Sequence, residues 1–468
     1  MQQGSPTTLA GKAAAWSSAL TLDRIPAVVV HVAKRCITDL VGVTIAGSRD
    51  PLCTKTFGYA LEAYAPGACT IFGQLDTIGP VGAALANGAA GHVLDFDDTS
   101  YTGIMHGSTV VFPAALAAVE HVGGDGKRLL EAFIAGSEVT YAIAMLCATG
   151  HYFKGWWSTA TFGVFGAAAA AARGLALDAR QTQMALAIAG VQASGLKAAF
   201  GTDAKPYMAG RAAAIGVEAA LLAARGLVGP ANVLEDSRGF LALLNDGHQE
   251  PGEIEKLGHV WRLIEPGIFF KQFPVCSAAH AAAQLMQTLI GTHALKAADV
   301  VEVTCDVTPT VAISLVHNRP TSPQEAQFSM PFALGAILAY GDLGISSLNA
   351  KFLADPVLRQ AMAKITMVRD DALHTEAAPE GAKLTIRTRD GRTISGYLGV
   401  PKGMPANPTS DQELAEKFRG CCEVGGLGRA ETDRLHQHLS VLETAATALC
   451  PGATIPPRVP VANLVNSG

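Results

Sequence analysis

The sequence predicts a mainly α protein, a large all-helical domain formed by both chain ends with an α+β lid domain inserted between them. Three observations lead there. Apolar residues recur at helical spacing from about residue 8 to 260, the period changes to alternation near residue 300, and helical spacing returns after "PKGMPANPTS". The expected boundaries are 1–265 for the first helical part, 266–405 for the α+β lid and 406–468 for C-terminal helices returning to the helical domain. The tail is expected to fold back because two helices alone bury too little surface to stand apart.

In chain order, "IPAVVVHVAKRCITDLVGVTIAG", "GKRLLEAFIAGSEVTYAIAMLCA" and "DARQTQMALAIAGVQASG" carry apolar residues at helical spacing with Gly near each end. No alternating strand is expected before residue 260, and frequent Ala lets helix axes approach closely. "TATFGVFGAAAAAARGLAL" is the most apolar stretch, but its Ala/Gly content and Arg173 suit a packed helix better than a membrane span. "VVEVTCDV" alternates Val301, Val303, Cys305 and Val307 against Glu302, Thr304 and Asp306, as a half-buried strand does. "AKITMVRD" reads as another strand, and "KLTIRTRDGRTISGYLGV" as a hairpin turning at Asp390-Gly391. Helices are expected at about 276–295, 325–341 and 345–363 between these strands, then in "DQELAEKFRG" and "AETDRLHQHLSVLETAATAL".

Composition sets limits on function. With 468 residues, 49% apolar and 16% charged, the chain has material for two or three domains and for a buried subunit interface. A net charge of −5 without a Lys/Arg block gives no support to a nucleic-acid partner. The N-terminal residues lack the basic start and apolar core of a signal peptide, and nine scattered cysteines without C-x-x-C read as reduced thiols in a cytoplasmic protein.

"HVLDFDDTS" gathers Asp95, Asp97 and Asp98 in a chain otherwise poor in charge. Clustered aspartates bind Mg²⁺ in all-helical diphosphate enzymes, but the second cluster that such chemistry needs is missing: after Asn318 and Ser322 the acidic position is Ala326, and Pro320 and Pro323 break any helix. A structural role weighs more, with Asp97, Asp98 and Thr99 capping the segment that follows. "GGDGKRLL" lacks phosphate-loop spacing, and no G-x-G-x-x-G, G-x-S-x-G or His-Glu-x-x-His occurs. Nitrogen bases in apolar surroundings remain: His106, Lys205, Lys271 and His280. Burial lowers a lysine's pKa toward that of a useful base, although a lone His is more often a hydrogen-bonded core residue and a lone Lys usually reaches water.

"LANGAAGHVLDFDDTS", "HGSTVVFPAALA", "GWWSTATFGVFGAAAAAARGL", "DAKPYMAGRAA", "KQFPVCSAAH", "FSMPFALGAIL" and "GMPANPTSDQELAEKF" resemble, in this order, segments of the MmgE/PrpD family, over about residues 10 to 450. The resemblance implies a helical domain plus lid in a homodimer, and enzymes acting on small di- or tricarboxylates with no metal or organic cofactor, among them 2-methylcitrate dehydratase, cis-aconitate decarboxylase and iminodisuccinate epimerase. Their common step makes or breaks a C–H bond beside a carboxylate, which requires a positioned base and cations to hold developing negative charge. By this resemblance Lys205 and His106 match the catalytic Lys and His, His280 a third polar residue from the lid, and Asp95 and Thr99 pocket positions. The aspartates are then expected to orient the basic residues rather than hold a metal. Lys271, Arg211 and Arg319 are candidates for binding substrate carboxylates, with a structural salt-bridged role as the alternative.

One departure stands out. Trp157 lies where the family commonly has His, and indole cannot exchange a proton. Tyr152 or His151, in "GHYFKGWW", could replace the missing group, or Trp157 could shrink the pocket toward four-carbon acids. On that substitution the first expectation is an epimerase of the iminodisuccinate type, with Lys205 and Tyr152 or His106 as proton carriers. The alternatives are a hydro-lyase of the 2-methylcitrate dehydratase type, a cis-aconitate-type decarboxylase and, more remotely, a non-catalytic helical scaffold.

Overall fold

The computed structural model describes residues 8–373, 375 and 378–450. Its apolar side chains gather into two cores. The first runs from Ala10 to Phe270 and takes in Leu414, Phe418, Cys421, Cys422, Leu435 and Leu439 from the C-terminal helices; the second is built from Phe273 to Ile394. Both chain ends therefore contribute to one helical body, and the segment from 273 to 394 has an interior of its own.

Helix boundaries in the first body follow local chemistry. Asp125 accepts the Arg128 N–H at the start of Gly126–Cys147, and Asp178 with Gln181 forms a reciprocal cap on Ala179–Gly190. Gly126–Cys147 and Ala204–Ala224 are long and apolar enough to cross a membrane by composition, yet both pack within the helical body. Pro80–His92 lies against Ala204–Ala224 at a glycine crossing. A Cβ on Gly88 would stand 2.7 Å from the Gly210 Cα, and one on Gly210 would stand 2.2 Å from the Leu85 carbonyl oxygen. Only glycine permits this approach, and it sets the end of one helix, His92, beside the start of the other, Lys205.

The second core holds a four-stranded sheet in the order Ile365–Arg369, Val300–Val307, Ala382–Thr388, Thr393–Leu398. The first pair is parallel (Val303 opposite Ile365) and the others antiparallel (Thr304 opposite Thr385, Leu384 opposite Gly396). Helices His280–His293 and Met330–Tyr340 pack on it.

Several expectations need correction. Val301 is not an inward residue: it is 46% exposed, because a register shift between Val300 and Glu302 turns Val300 inward instead. The helix expected at 345–363 is broken at Asp355-Pro356 into Ala350–Ala354 and Pro356–Met362, the proline forcing the residue before it out of helical geometry. A short antiparallel pair, Pro66–Thr70 with Thr77–Ile78, lies in the stretch where no strand was expected. The cap expected at Asp97, Asp98 and Thr99 does not form, since the following helix, Ser108–His121, begins after Gly107, and Thr99 instead pairs with Phe269.

Candidate active site

Between the two bodies the chain leaves the Pro80–His92 helix and makes a tight loop through the aspartates. Asp95 has φ of 47°, a left-handed backbone rare outside glycine, at the point where two ammonium groups and an imidazole converge on its side chain. Its Oδ1 lies 2.8 Å from Lys271 Nζ, 3.3 Å from Lys205 Nζ and 3.6 Å from His106 Nε2. Lys271 also donates to the Asp95 carbonyl at 2.7 Å. Burial would push the Asp95 carboxyl up, but Lys205 and Lys271 outweigh it and hold the group well below the usual carboxylate range.

Asp97 orients both imidazoles. His92 Nδ1 donates to it at 2.9 Å, and His106 Nδ1 lies 3.3 Å away. His106 Nδ1 is also 3.0 Å from the Asp98 carbonyl oxygen, which can only accept, so this nitrogen carries a proton. His92 Nε2 accepts from Lys205 Nζ at 2.7 Å. Burial lowers the His92 pKa to about 4 despite Asp97, so its ring is neutral and fixed in one tautomer. The chain Asp97–His92–Lys205 thus holds one ammonium by a carboxylate acting through an imidazole. Lys205 is itself pushed down by burial, with Asp95 opposing, among the rings of Phe328 (4.9 Å), Trp157 (5.4 Å) and Phe200 (5.4 Å). His106 is 13% exposed where His92 is sealed, which makes it the accessible imidazole of the pair.

Ligand atoms of His92, Asp95, Asp97 and His106 lie within 4.8 Å of one another, close enough to surround a cation. Lys205 and Lys271 already supply the positive charge there, and Lys205 occupies the lone pair of His92 that a metal would use. The donor set therefore fits a metal poorly.

The other expected residues scatter. Trp157 lies at the wall, its ring 5.2 Å from His92. Tyr152 is buried close by, its hydroxyl pushed up by burial and its ring under Lys197. Thr99 donates its hydroxyl to the Met105 carbonyl at 3.0 Å and so pins the loop. His280 is held by backbone: Nδ1 is tied to the Cys276 carbonyl, Nε2 accepts the Phe273 N–H, and burial takes its pKa to about 3. With both nitrogens engaged by backbone, its ring is fixed against the loop that carries Lys271. His151 is likewise used up, between the Leu244 carbonyl and the Thr161 hydroxyl. Arg211 points away to the surface, 3.9 Å from Glu218. Arg319 lines a separate surface groove of about 570 Å³ with Arg359 and Met362.

Sequence reasoning missed His92, Lys197, Cys276 and Glu380. Glu380 is buried, accepting from Tyr101 at 2.7 Å and Ser277 at 3.0 Å, and the Cys276 thiol is pushed up to about 12 by burial and then by Asp95. A thiol so raised is no nucleophile near neutral pH. His92 carried a signal: it stands five residues before Asp97, at the last turn of a small-residue helix.

What this wall offers is proton transfer under cationic control, and a mainly helical enzyme of the isomerase or lyase kind is the class that such chemistry on such a fold defines. The chain belongs to the MmgE/PrpD family: the N-terminal domain is matched over residues 11–251 and the C-terminal domain over residues 273–441. It is 29% identical to the cis-aconitate decarboxylase of Homo sapiens over 84% of this chain and 83% of that protein. A cis-aconitate decarboxylase-like protein of Aspergillus oryzae is 26% identical over 92% and 94%, and the cis-aconitate decarboxylase of Aspergillus terreus 26% over 86% and 87%.

Proposed function

We propose that this enzyme is a lyase that decarboxylates a small unsaturated polycarboxylate of the cis-aconitate type. The observation that carries the reading is the pair Lys205 and His106 on one wall, joined through Asp95 Oδ1. An epimerase, the first expectation from the sequence, needs proton carriers on opposite faces of one carbon. Here the two carriers share a carboxylate neighbour, and the indole of Trp157 stands beside them. Decarboxylation with a shift of the double bond needs one proton donor. The bond to the departing carboxylate breaks, its electron pair forms the new alkene, and the old alkene pair takes a proton from the Lys205 ammonium. CO₂ leaves, and the amine regains a proton from water. Phe200, Phe328 and Trp157 form an apolar surface on which a carboxylate loses hydration as it leaves. The relatives' activity on cis-aconitate supports the same choice.

The test is CO₂ release from cis-aconitate in D₂O, with one deuterium expected in the product. Lys205→Ala and His106→Ala are each expected to lose more than about 100-fold in turnover, the scale of general acid–base catalysis. Deuterium exchange into a saturated acid without CO₂ would restore the epimerase reading.

A further inference from the structure

Lys197 begins a single 3-10 turn, Lys197–Ala199, and its backbone N–H is held by the Gly155 carbonyl at 2.9 Å. Its Nζ rests 3.6 Å from the centre of the Tyr152 ring and 6.0 Å from that of Phe200, the ring that Lys205 Nζ approaches at 5.4 Å. Phe200 thus neighbours both Lys197 and Lys205, and Lys205 shares Asp95 with Lys271, so the three ammonium groups follow one another along one wall. They differ in pairing. Lys205 and Lys271 both sit on Asp95, whereas among the described residues no carboxylate forms an ion pair with Lys197.

Charge balance gives that difference a meaning. Lys205 and Lys271 are offset by Asp95 and Asp97, so this part of the wall has no net charge with which to hold a polyanion. A half-buried ammonium on an aromatic face, short of a counter-charge, is the complement such a ligand needs. We propose that Lys197, seated over Tyr152, binds a carboxylate of the substrate remote from the reacting carbon, and that it makes the site select tricarboxylates over dicarboxylates. This rests on the polycarboxylate reading above and deepens it. Burial of Lys197, lowering its pKa to about 8, adds a signature: the subsite is charged below that pH and loses its charge above it.

The experiment is calorimetric binding of propane-1,2,3-tricarboxylate and of glutarate to the full-length protein, as wild type, Lys197→Met and Lys197→Arg. Lys197→Met is expected to weaken the tricarboxylate by about 10- to 100-fold, the scale of one charge-assisted hydrogen bond, and glutarate far less. Lys197→Arg is expected to keep the preference and to hold its affinity above pH 8, where the wild type weakens. Equal losses for both acids, no loss, or a wild type that binds no tricarboxylate would each overturn the subsite. CO₂ release is read separately. A wild type that binds through Lys197 but releases no CO₂ removes the reaction assignment and leaves the subsite, whereas full CO₂ release with unchanged binding in Lys197→Met does the reverse.

Discussion

Asp95, Asp97 and Asp98 crowd into one loop and end in different states because different groups reach them. Asp95 meets ammonium groups and Asp97 meets imidazoles, so both stay ionised. Asp98 turns toward Cys36 and Asp39; burial, with Asp39 adding to it, raises its pKa to about 7, and the Ser108 hydroxyl at 2.5 Å is its hydrogen-bond partner. A carboxyl raised from 3.8 to about 7 on folding takes stability away as pH rises through that window, since the native state must give up a proton it holds better than the unfolded chain. Asp98→Asn is therefore expected to raise Tm at pH 8 by more than at pH 5; an equal gain at both would show Asp98 ionised in the fold. Trp157→His would put an imidazole beside His92 and Lys205 and open space, and a shifted ratio of turnover between four- and six-carbon acids is expected. Unchanged range and rate would reduce Trp157 to a filler. At this scale the sequence made the crowding of charge legible and pointed to Lys205, His106 and Asp95. It could not show that nearby backbone holds both ring nitrogens of His280, because such capture leaves no mark in residue type. His92 was overlooked because its role depends on Lys205, 113 positions away.

Helices fix how far apart the reacting groups stand. The crossing of Gly88 and Gly210 sets Pro80–His92 against Ala204–Ala224, and each helix carries one partner of the His92–Lys205 hydrogen bond at or near an end. Gly210→Ala would drive a methyl into the Leu85 carbonyl, and overpacking of this kind costs about 1–3 kcal/mol. Because the relief is a shift of one helix, activity is expected to fall further than stability, read as turnover against the thermal melt. An intact turnover with a lowered Tm would mean that the helices part without disturbing His92 and Lys205. Apolar periodicity made these helices legible. The crossing was not, since a glycine in a small-residue run looks the same whether it meets backbone or space. The split at Asp355-Pro356 was legible in principle, because a proline restricts its predecessor wherever it stands.

The return of the chain's last helices to the first body ties its far end to the aspartate loop. Asp411–Gly425 opens with a reciprocal cap between Ser410 and Glu413 and buries Leu414, Phe418, Cys421 and Cys422. From this helix Lys417 reaches inward, with Nζ 2.8 Å from Asp39, 2.8 Å from the Phe96 carbonyl oxygen and 3.9 Å from the Phe96 ring centre. Phe96 stands between Asp95 and Asp97, so an ammonium from the C-terminal segment braces the loop that orients the bases. The C-terminal family domain is matched to residue 441, although its last helices pack in the first core; their apolar spacing marked them as helices in the sequence, and the brace was hidden by its separation in sequence. Lys417→Met would leave Asp39 buried without its cation, a loss of up to about 3–5 kcal/mol, reduced where Asp39 takes up a proton. Tm is expected to drop by several degrees and turnover to fall with it. Adding Asp39→Asn is expected to recover most of the stability, since no charge is then stranded, but not the turnover, because the bond to the Phe96 carbonyl is still missing. If the double variant regained both, the brace would be electrostatic support for Asp39 alone, with no part in holding the loop.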